Sequence, residues 1–173
     1  ETLNVYHERV AAGVSPDAIL AGIHANSRDN ARTPMQWHNA RHAGFSSSTP
    51  WIAVNPNYPD INVAAALADK NSIFYHYQKL VHLRQQLPVM VYGRYSELLE
   101  AHPQVFAYQR DWQGQRILVF NNFSAERLIV ALPPDLHGIQ GVCLIDNYAP
   151  VTALTEQLVL QPYESFALLH TSV

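Results

Sequence analysis

The sequence is poor in several features that define whole classes of protein. It has one cysteine, Cys143, so no internal disulfide can form, which favours a reducing compartment such as the cytoplasm. Only 14% of its 173 residues are charged, and the formal net charge is -3. This balance argues against nucleic acid and anionic membranes as partners. It also has no run of about 18 apolar residues, the length that a membrane span needs.

Other absences bear on chemistry. The sequence has no glycine-rich phosphate loop. His38 and His42 are four apart, but their segment has no helical period and no third ligand is evident, so a metal site is not expected. Glu97 and Glu100 are the nearest carboxylate pair, and we expect both on a solvated strand surface. The residues therefore predict no metal, no cofactor and no complete catalytic set within the chain.

Hydrophobic residues make up 48% of the sequence, a globular composition that leans towards a buried piece of something larger. The length suits one full domain, or one small domain and part of another. The chain opens on Glu1 within a helical pattern, without an initiator Met or a signal region. These features favour a fragment or a processed product.

Apolar periodicity predicts helices in the first half of the chain. Ser15 can cap the second helix with Pro16 at its first position, and Pro88 ends the last and clearest one. The stretch 27–69 is mostly irregular, and so long a loop is usually functional. The expected helices are 2–12, 16–26, 61–67 and 71–87.

Beyond residue 88 the apolar period changes to two, which indicates β-strands separated by short turns. This pattern predicts an antiparallel sandwich or Greek key. The sequence thus divides into helix-and-loop material at 1–88 and a β module at 89–173. The expected strands are 89–99, 104–110, 115–123, 127–132, 140–147, 156–160 and 164–170.

The segment 27–37, SRDNARTPMQW, is the most informative part of the sequence. Arginine presents a rigid fork of donors that suits carboxylates and vicinal hydroxyls. Arg28, Asp29 and Arg32 could therefore line a sugar site, or form a network that clamps the long loop. The nearby aromatic residues leave two alternatives open as well, stacking on sugar rings or anchoring the loop by packing: Trp37, Phe45 and Trp51.

The same segment, with AGF at 43–45, PWI at 50–52, VNPNY at 54–58 and INV at 61–63, resembles glycoside hydrolase family 13. Within that family it resembles the oligo-1,6-glucosidase and α-glucosidase group, and the resemblance covers the C-terminal third of such enzymes only. The resemblance continues through SIFY at 72–75, VYG at 91–93 and FAY at 106–108. These enzymes are (β/α)8 barrels followed by an antiparallel β domain. The resemblance therefore implies an α+β chain, with the end of the barrel at 1–88 and the C-terminal β domain at 89–173.

The resemblance also implies a function. Family members hydrolyse α-glucosidic bonds with retention, using an Asp nucleophile, a Glu acid/base and a second Asp. None of these carboxylates maps onto this sequence, so the chain alone should be inactive. Arg28 matches the arginine that binds the terminal glucose of the substrate. The role is less secure for Asp29 and Arg32, which could instead hold the loop.

The expected parent is a glycosidase that removes terminal α-1,6-linked glucose from short gluco-oligosaccharides, with the missing N-terminal barrel portion as the partner of this chain. Trehalose-6-phosphate hydrolases and sucrose isomerases look similar over this region, so both remain alternatives for the parent. A third alternative is a non-catalytic β module that binds carbohydrate or a partner chain. A large exposed apolar surface on residues 1–88 would favour a fragment of such a parent enzyme over an independent β module.

Overall fold

The computed structural model of the chain describes residues 2–26, 28 and 31–171. It divides into two compact units, an N-terminal unit (Glu1–Tyr75) and a C-terminal unit (His76–Val173). The domain boundary expected at residue 88 concerns the complete parent, and it stays a prediction. Within the described ranges, every helix is too short or too polar to cross a bilayer.

The helices of the N-terminal unit lie close to where the periodicity placed them. Gly13 has a φ of +82° and ends the first helix, because its lack of a side chain permits the left-handed conformation. Ile19 donates its backbone N–H to the Ser15 carbonyl (3.1 Å), and this hydrogen bond closes the first turn of the second helix. The elements are α1 (Thr2–Ala11), α2 (Pro16–Asn26), a 3-10 turn (Arg41–Gly44) and α3 (Val63–Ala68), and α4 (Ile73–Gln86) begins at the end of this unit.

Hydrogen bonds between polar groups help to hold the irregular segment that precedes α3. Gln36 donates through Nε2 to the Asn57 side-chain oxygen (2.9 Å), and its carbonyl accepts from the Val63 N–H (2.9 Å). Asn62 caps α3 by accepting the Ala65 N–H through Oδ1 (2.9 Å). These hydrogen bonds join the two ends of the segment and fix its course.

The aromatic residues of this segment do not anchor it within the chain. Trp37, Phe45 and Trp51 are all exposed in this chain, so stacking on sugar and packing against other parts of the parent both stay predictions for the complete parent.

The C-terminal unit is an antiparallel sandwich. Its larger sheet has five strands in the order β1-β2-β3-β7-β5, and its smaller sheet pairs β4 with β6. Six of the seven strands expected from the sequence are confirmed to within two residues at either end, and the α+β architecture with them. The strands are β1 (Arg94–Leu98), β2 (Val105–Trp112), β3 (Gln115–Asn122), β4 (Leu128–Ala131), β5 (Val142–Asp146), β6 (Gln157–Leu160) and β7 (Ser165–Thr171).

The strand expected at 89–99 is wrong in its first half. Val89–Tyr92 forms a short helix, α5, and only Arg94–Leu98 is a strand. Arg110 explains the difference, because its guanidinium donates to the carbonyls of Met90 (2.6 Å) and Gly93 (3.1 Å) at the end of α5. This tertiary contact satisfies helix carbonyls that would otherwise lack partners.

Two apolar cores lie on the opposite faces of the five-stranded sheet. The inner core fills the space between the two sheets, where Phe120 and Phe166 stack with ring centroids 5.3 Å apart. The outer core joins the sheet to α5 and to the second half of α4, through Leu80 and Leu83. Strand β3 contributes to both cores, so it is apolar on both faces.

Candidate functional site

An open groove of about 470 Å³ lies in the N-terminal unit, between α1, α2 and the residues that follow α2. Helical spacing brings the lining together, since Thr2, Val5 and Arg9 recur on one face of α1. On α2, Ile19 and Ile23 contribute the apolar part of the lining. The groove is therefore lined by apolar side chains from both helices and by three arginines, Arg9 on α1 and Arg28 and Arg32 after α2.

Arg28 and Arg32, two of the three site residues expected from the sequence, both line this groove. Both side chains are exposed, and the Arg28 carbonyl accepts from the Ala31 N–H (3.1 Å). Asp29, the third expected residue, lies outside the described residues. The two arginines therefore line the same groove, and their role in binding sugar stays a prediction.

Arg9 is a groove residue that the sequence argument missed. The sequence did contain a signal for Arg9, because this residue lies seven positions after Thr2 and four after Val5 and so shares one face of α1 with them. Among the described side chains, no carboxylate lies within ion-pair distance of Arg9, Arg28 or Arg32. Three guanidinium groups in one groove suit a ligand that offers several oxygen acceptors, such as vicinal hydroxyls or an acidic group.

The described lining of the groove includes no carboxylate, so it offers no acid, base or nucleophile for breaking a glycosidic bond. Glu97 and Glu100 are exposed in the C-terminal unit, as expected for a solvated surface. Across 2–26, 28 and 31–171, no three His, Cys, Asp or Glu side chains are grouped to hold a metal ion. The described lining of the groove can therefore bind a ligand, but it offers no group that would cleave a glycosidic bond.

The single thiol does not supply a nucleophile either. Burial raises the pKa of Cys143 above its ordinary value, and the hydrogen bond from its Sγ to the Asp146 carboxylate (3.5 Å) raises the pKa further. The thiol therefore stays protonated near neutral pH, where only the thiolate would react.

Comparisons with known proteins agree with this two-part architecture. The sequence model of the alpha-amylase catalytic domain matches residues 4–93, and that of the alpha-amylase SusG C-terminal domain matches residues 105–166. Palatinase from Erwinia rhapontici is 50% identical over 169 residues, which are 98% of this chain and 31% of that protein. Oligo-1,6-glucosidase from Bacillus cereus is 45% identical over 166 residues, which are 95% of this chain and 30% of that protein.

Comparison with solved structures finds related enzymes that match nearly the whole of this chain. The crystal structure of trehalose-6-phosphate hydrolase from Bacillus licheniformis matches 99% of this chain and 31% of its own, with a TM-score of 0.85 and 36% identity. That of trehalulose synthase from Pseudomonas mesoacidophila MX-45 matches 90% of this chain and 28% of its own, with a TM-score of 0.80 and 34% identity. The chain spans less than a third of the length of each relative. It belongs to the alpha-amylase family, glycoside hydrolase family 13, and corresponds to the C-terminal part of its enzymes.

Proposed function

We propose that this chain is the C-terminal part of a retaining α-glucosidase that releases terminal α-1,6-linked glucose from short oligosaccharides. The observation that carries the proposal is the identity of 45–46% to oligo-1,6-glucosidases over 95% of the chain. The residues of this chain bind and position the sugar, and the reacting carboxylates come from the preceding part of the parent. The single cysteine keeps the cytoplasm as the proposed location.

In this proposal Arg28 binds the terminal glucose. Its guanidinium is exposed at the groove, and its fork of donors matches the hydroxyls of a sugar. Binding the outermost glucose by a fixed fork selects chain ends over internal linkages. Arg32, in the same groove, either contacts the sugar or holds the loop that carries Arg28.

The exposed apolar surface supports a parent of which this is one part. Leu3, Trp51, Ile61 and Ile73 are largely exposed in the N-terminal unit, each as a large side chain that a finished domain would cover. A self-contained binding module would not need such a surface. We therefore expect residues 1–173 alone to self-associate or to bind a hydrophobic dye, as a fragment would and an independent module would not.

The same observations leave a second candidate for the parent's substrate. The structural match to a trehalose-6-phosphate hydrolase, and three arginines around one groove, favour a phosphorylated disaccharide as the alternative. The match to a trehalulose synthase keeps sucrose isomerisation as a further alternative. A substrate panel therefore has to contain an isomaltose-type sugar, trehalose 6-phosphate and sucrose.

The first experiment is the intact mass of the gene product from its native source, with that panel assayed on the purified product. We expect a product about three times the length of this chain, judged from the share of each relative that it covers, and hydrolysis of the isomaltose-type sugar in preference to the others. Residues 1–173 alone should show no turnover. Preference for trehalose 6-phosphate, or turnover by 1–173 alone, would contradict the proposal.

In the complete enzyme, Arg28→Ala should lower kcat/KM about ten- to a hundredfold, the effect of losing a charged hydrogen-bond donor to the substrate. Arg28→Lys should recover only part of this, because an ammonium group cannot reproduce the planar fork. Arg41→Ala is the matched control, since Arg41 is exposed in the same unit but does not line the groove. Equal effects at Arg28 and Arg41 would remove Arg28 from the site.

A further inference from the structure

Gln36 lies at the end of the polar loop that carries the two groove arginines, and both donors of its side chain are in use. Nε2 donates one hydrogen to the Asn57 side-chain oxygen (2.9 Å) and the other to the Ile61 carbonyl. The Gln36 carbonyl accepts from the Val63 N–H (2.9 Å). Residue 36 is thus tied at three points to a segment that begins 21 positions later in the chain.

The segment that accepts these hydrogen bonds is itself ordered by its own contacts. The Ile61 N–H donates to the Asn57 carbonyl (2.9 Å), and the Asn57 N–H donates to the Asn55 side-chain oxygen (3.2 Å). Asn62 caps α3 and donates through Nδ2 to the Tyr58 carbonyl (2.9 Å). The side chain at position 36 therefore binds a preformed turn, and it cannot shift without losing both acceptors together.

The backbone that follows Gln36 is fixed as well. The N–H groups of Trp37 (2.9 Å) and His38 (3.3 Å) both donate to the carbonyl of Ala43, which is fully buried. The Trp37 carbonyl accepts from the Ala64 N–H (3.0 Å). Residues 36–38 therefore form a fixed base, and the loop that precedes them runs from the end of α2 to this base.

Arg32 is close to the base along the chain, and little torsional freedom separates the two. Only residues 33–35 lie between Arg32 and Gln36. Pro34 is buried, its ring fixes its own φ, and it also restricts the backbone of Thr33 before it. A displacement of Gln36 would therefore displace Arg32.

Arg28 is joined to the same base through a hydrogen bond. The Ala31 N–H donates to the Arg28 carbonyl (3.1 Å), which ties Arg28 to the residue directly before Arg32. Both arginines line the groove, whereas Gln36 is half-buried and is not part of the described lining. Gln36 therefore acts on a groove ligand through the arginines.

We propose that Gln36 is a positioning residue for Arg28. Its carboxamide fixes the base of the loop, so that the Arg28 guanidinium meets the terminal glucose in one orientation. An orientation that is set before binding lowers the cost of ordering the site, and small displacements of such a group weaken catalysis. This inference rests on the proposed function, in which Arg28 binds the sugar.

The test is a double-mutant cycle in the complete enzyme, measured as kcat/KM on the isomaltose-type sugar. Gln36→Ala should lower kcat/KM about tenfold, because the loop that carries Arg28 is released from its base. In an Arg28→Ala background the same change should lower kcat/KM by less than about twofold, since no guanidinium is left to misplace. An equal loss in the two backgrounds would overturn the proposal and leave Gln36 a purely structural residue.

Variants of Asn57 test the same hydrogen bond from its other partner, and they decide the question if Gln36→Ala does not fold. Asn57→Ala should lower kcat/KM and show the same dependence on Arg28. Asn57→Asp keeps a side-chain acceptor for Nε2, so it should retain kcat/KM to within about twofold. Asn39→Ala is the matched control, since Asn39 is an exposed carboxamide directly after the base, and it should leave kcat/KM unchanged. A loss in Asn57→Asp or Asn39→Ala equal to that in Asn57→Ala would contradict the proposal.

Failure of the proposed function would give a different result. An unchanged kcat/KM in Arg28→Ala would contradict the binding role of Arg28, and the role of Gln36 with it. Preference of the parent for trehalose 6-phosphate or sucrose would contradict only the proposed substrate, and the same cycle measured on the preferred sugar would then decide the role of Gln36.

Discussion

Asn122 is the position at which one substitution should cost the β-sandwich most for its size. It is 4% exposed, and its side chain makes four hydrogen bonds. Nδ2 donates to the carbonyls of Glu126 (2.7 Å) and Gln161 (2.8 Å), while Oδ1 accepts from the N–H (2.9 Å) and hydroxyl (2.8 Å) of Ser124. The full capacity of a carboxamide is used.

Asn122→Ala removes all four bonds and leaves their partners behind. Each of these bonds contributes about 0.5–1.5 kcal/mol to stability. The Gln161 carbonyl keeps a second donor, the Glu164 N–H (3.0 Å), and Glu126 is exposed, so water can hydrate its carbonyl. We therefore expect the free energy of unfolding of the sandwich to fall by about 3 kcal/mol, which includes the small void left by the amide.

Native-state hydrogen exchange is the suitable assay, because it reads the sandwich separately from the N-terminal unit. Exchange of the Phe120 and Leu168 amides should become about a hundredfold faster in Asn122→Ala, at about 1.4 kcal/mol for each factor of ten. The control is Asn121→Ala, on the opposite face of β3, where the half-buried amide donates to the Phe106 carbonyl (3.0 Å) and accepts from the hydroxyl of Ser165 (2.7 Å), whose groups water can reach. It should cost less than about 1 kcal/mol. Equal acceleration in the two variants would refute the reasoning.

Two further predictions concern other parts of the chain. Gly44→Ala should destabilise by about 1–2 kcal/mol in urea unfolding, because Gly44 has a φ of +68°, where a β-carbon is strained, whereas the His38 ring that it would meet is exposed and can turn aside. Gly22→Ala, in an open helical position, should instead stabilise by about 0.5–1 kcal/mol, and a loss there would undermine the comparison. Cys143 should react with iodoacetamide more slowly than free cysteine at pH 8, since its raised pKa lowers the thiolate fraction, and Asp146→Asn should speed the reaction. Because the folded thiol binds its proton more tightly than the unfolded one, its contribution to stability is present below the ordinary thiol pKa and is lost as pH rises through the raised value.

The sequence predicted the elements whose signals are local. Pro16 and Gly13 mark the start and end of neighbouring helices, and α4 ends before Pro88. It could not predict α5, because Val89–Tyr92 has strand-forming residues and becomes helical through a contact from Arg110, 17–20 residues later. Nor could it assign β4 and β6 to a separate sheet, since strand order depends on pairings distant in sequence.

The site was predictable to the same extent. Arg28 and Arg32 stood out because two arginines in a polar, proline-bounded loop are unusual, and both line the groove. Arg9 did not stand out, because on α1 it reads as an ordinary surface residue until α2 packs beside it. The contacts of Gln36 were also hidden, since only the folded chain brings its side chain to Asn57 and Ile61.

Strand β3 is apolar on both faces, and this has a consequence for how faithfully the chain folds. Leu118 and Phe120 face one core and Ile117 the other, so a one-residue slip would still present apolar side chains to both. Hydrophobic alternation therefore cannot reject the misaligned hairpin. The correct register of β3 is therefore determined at the two ends of the strand. One end is the Gln113–Gly114 turn, with positive φ at both residues, and the other is the Asn122 amide with its four hydrogen bonds. Weakening either end should trap part of the population in misregistered, aggregation-prone forms before it changes the native structure.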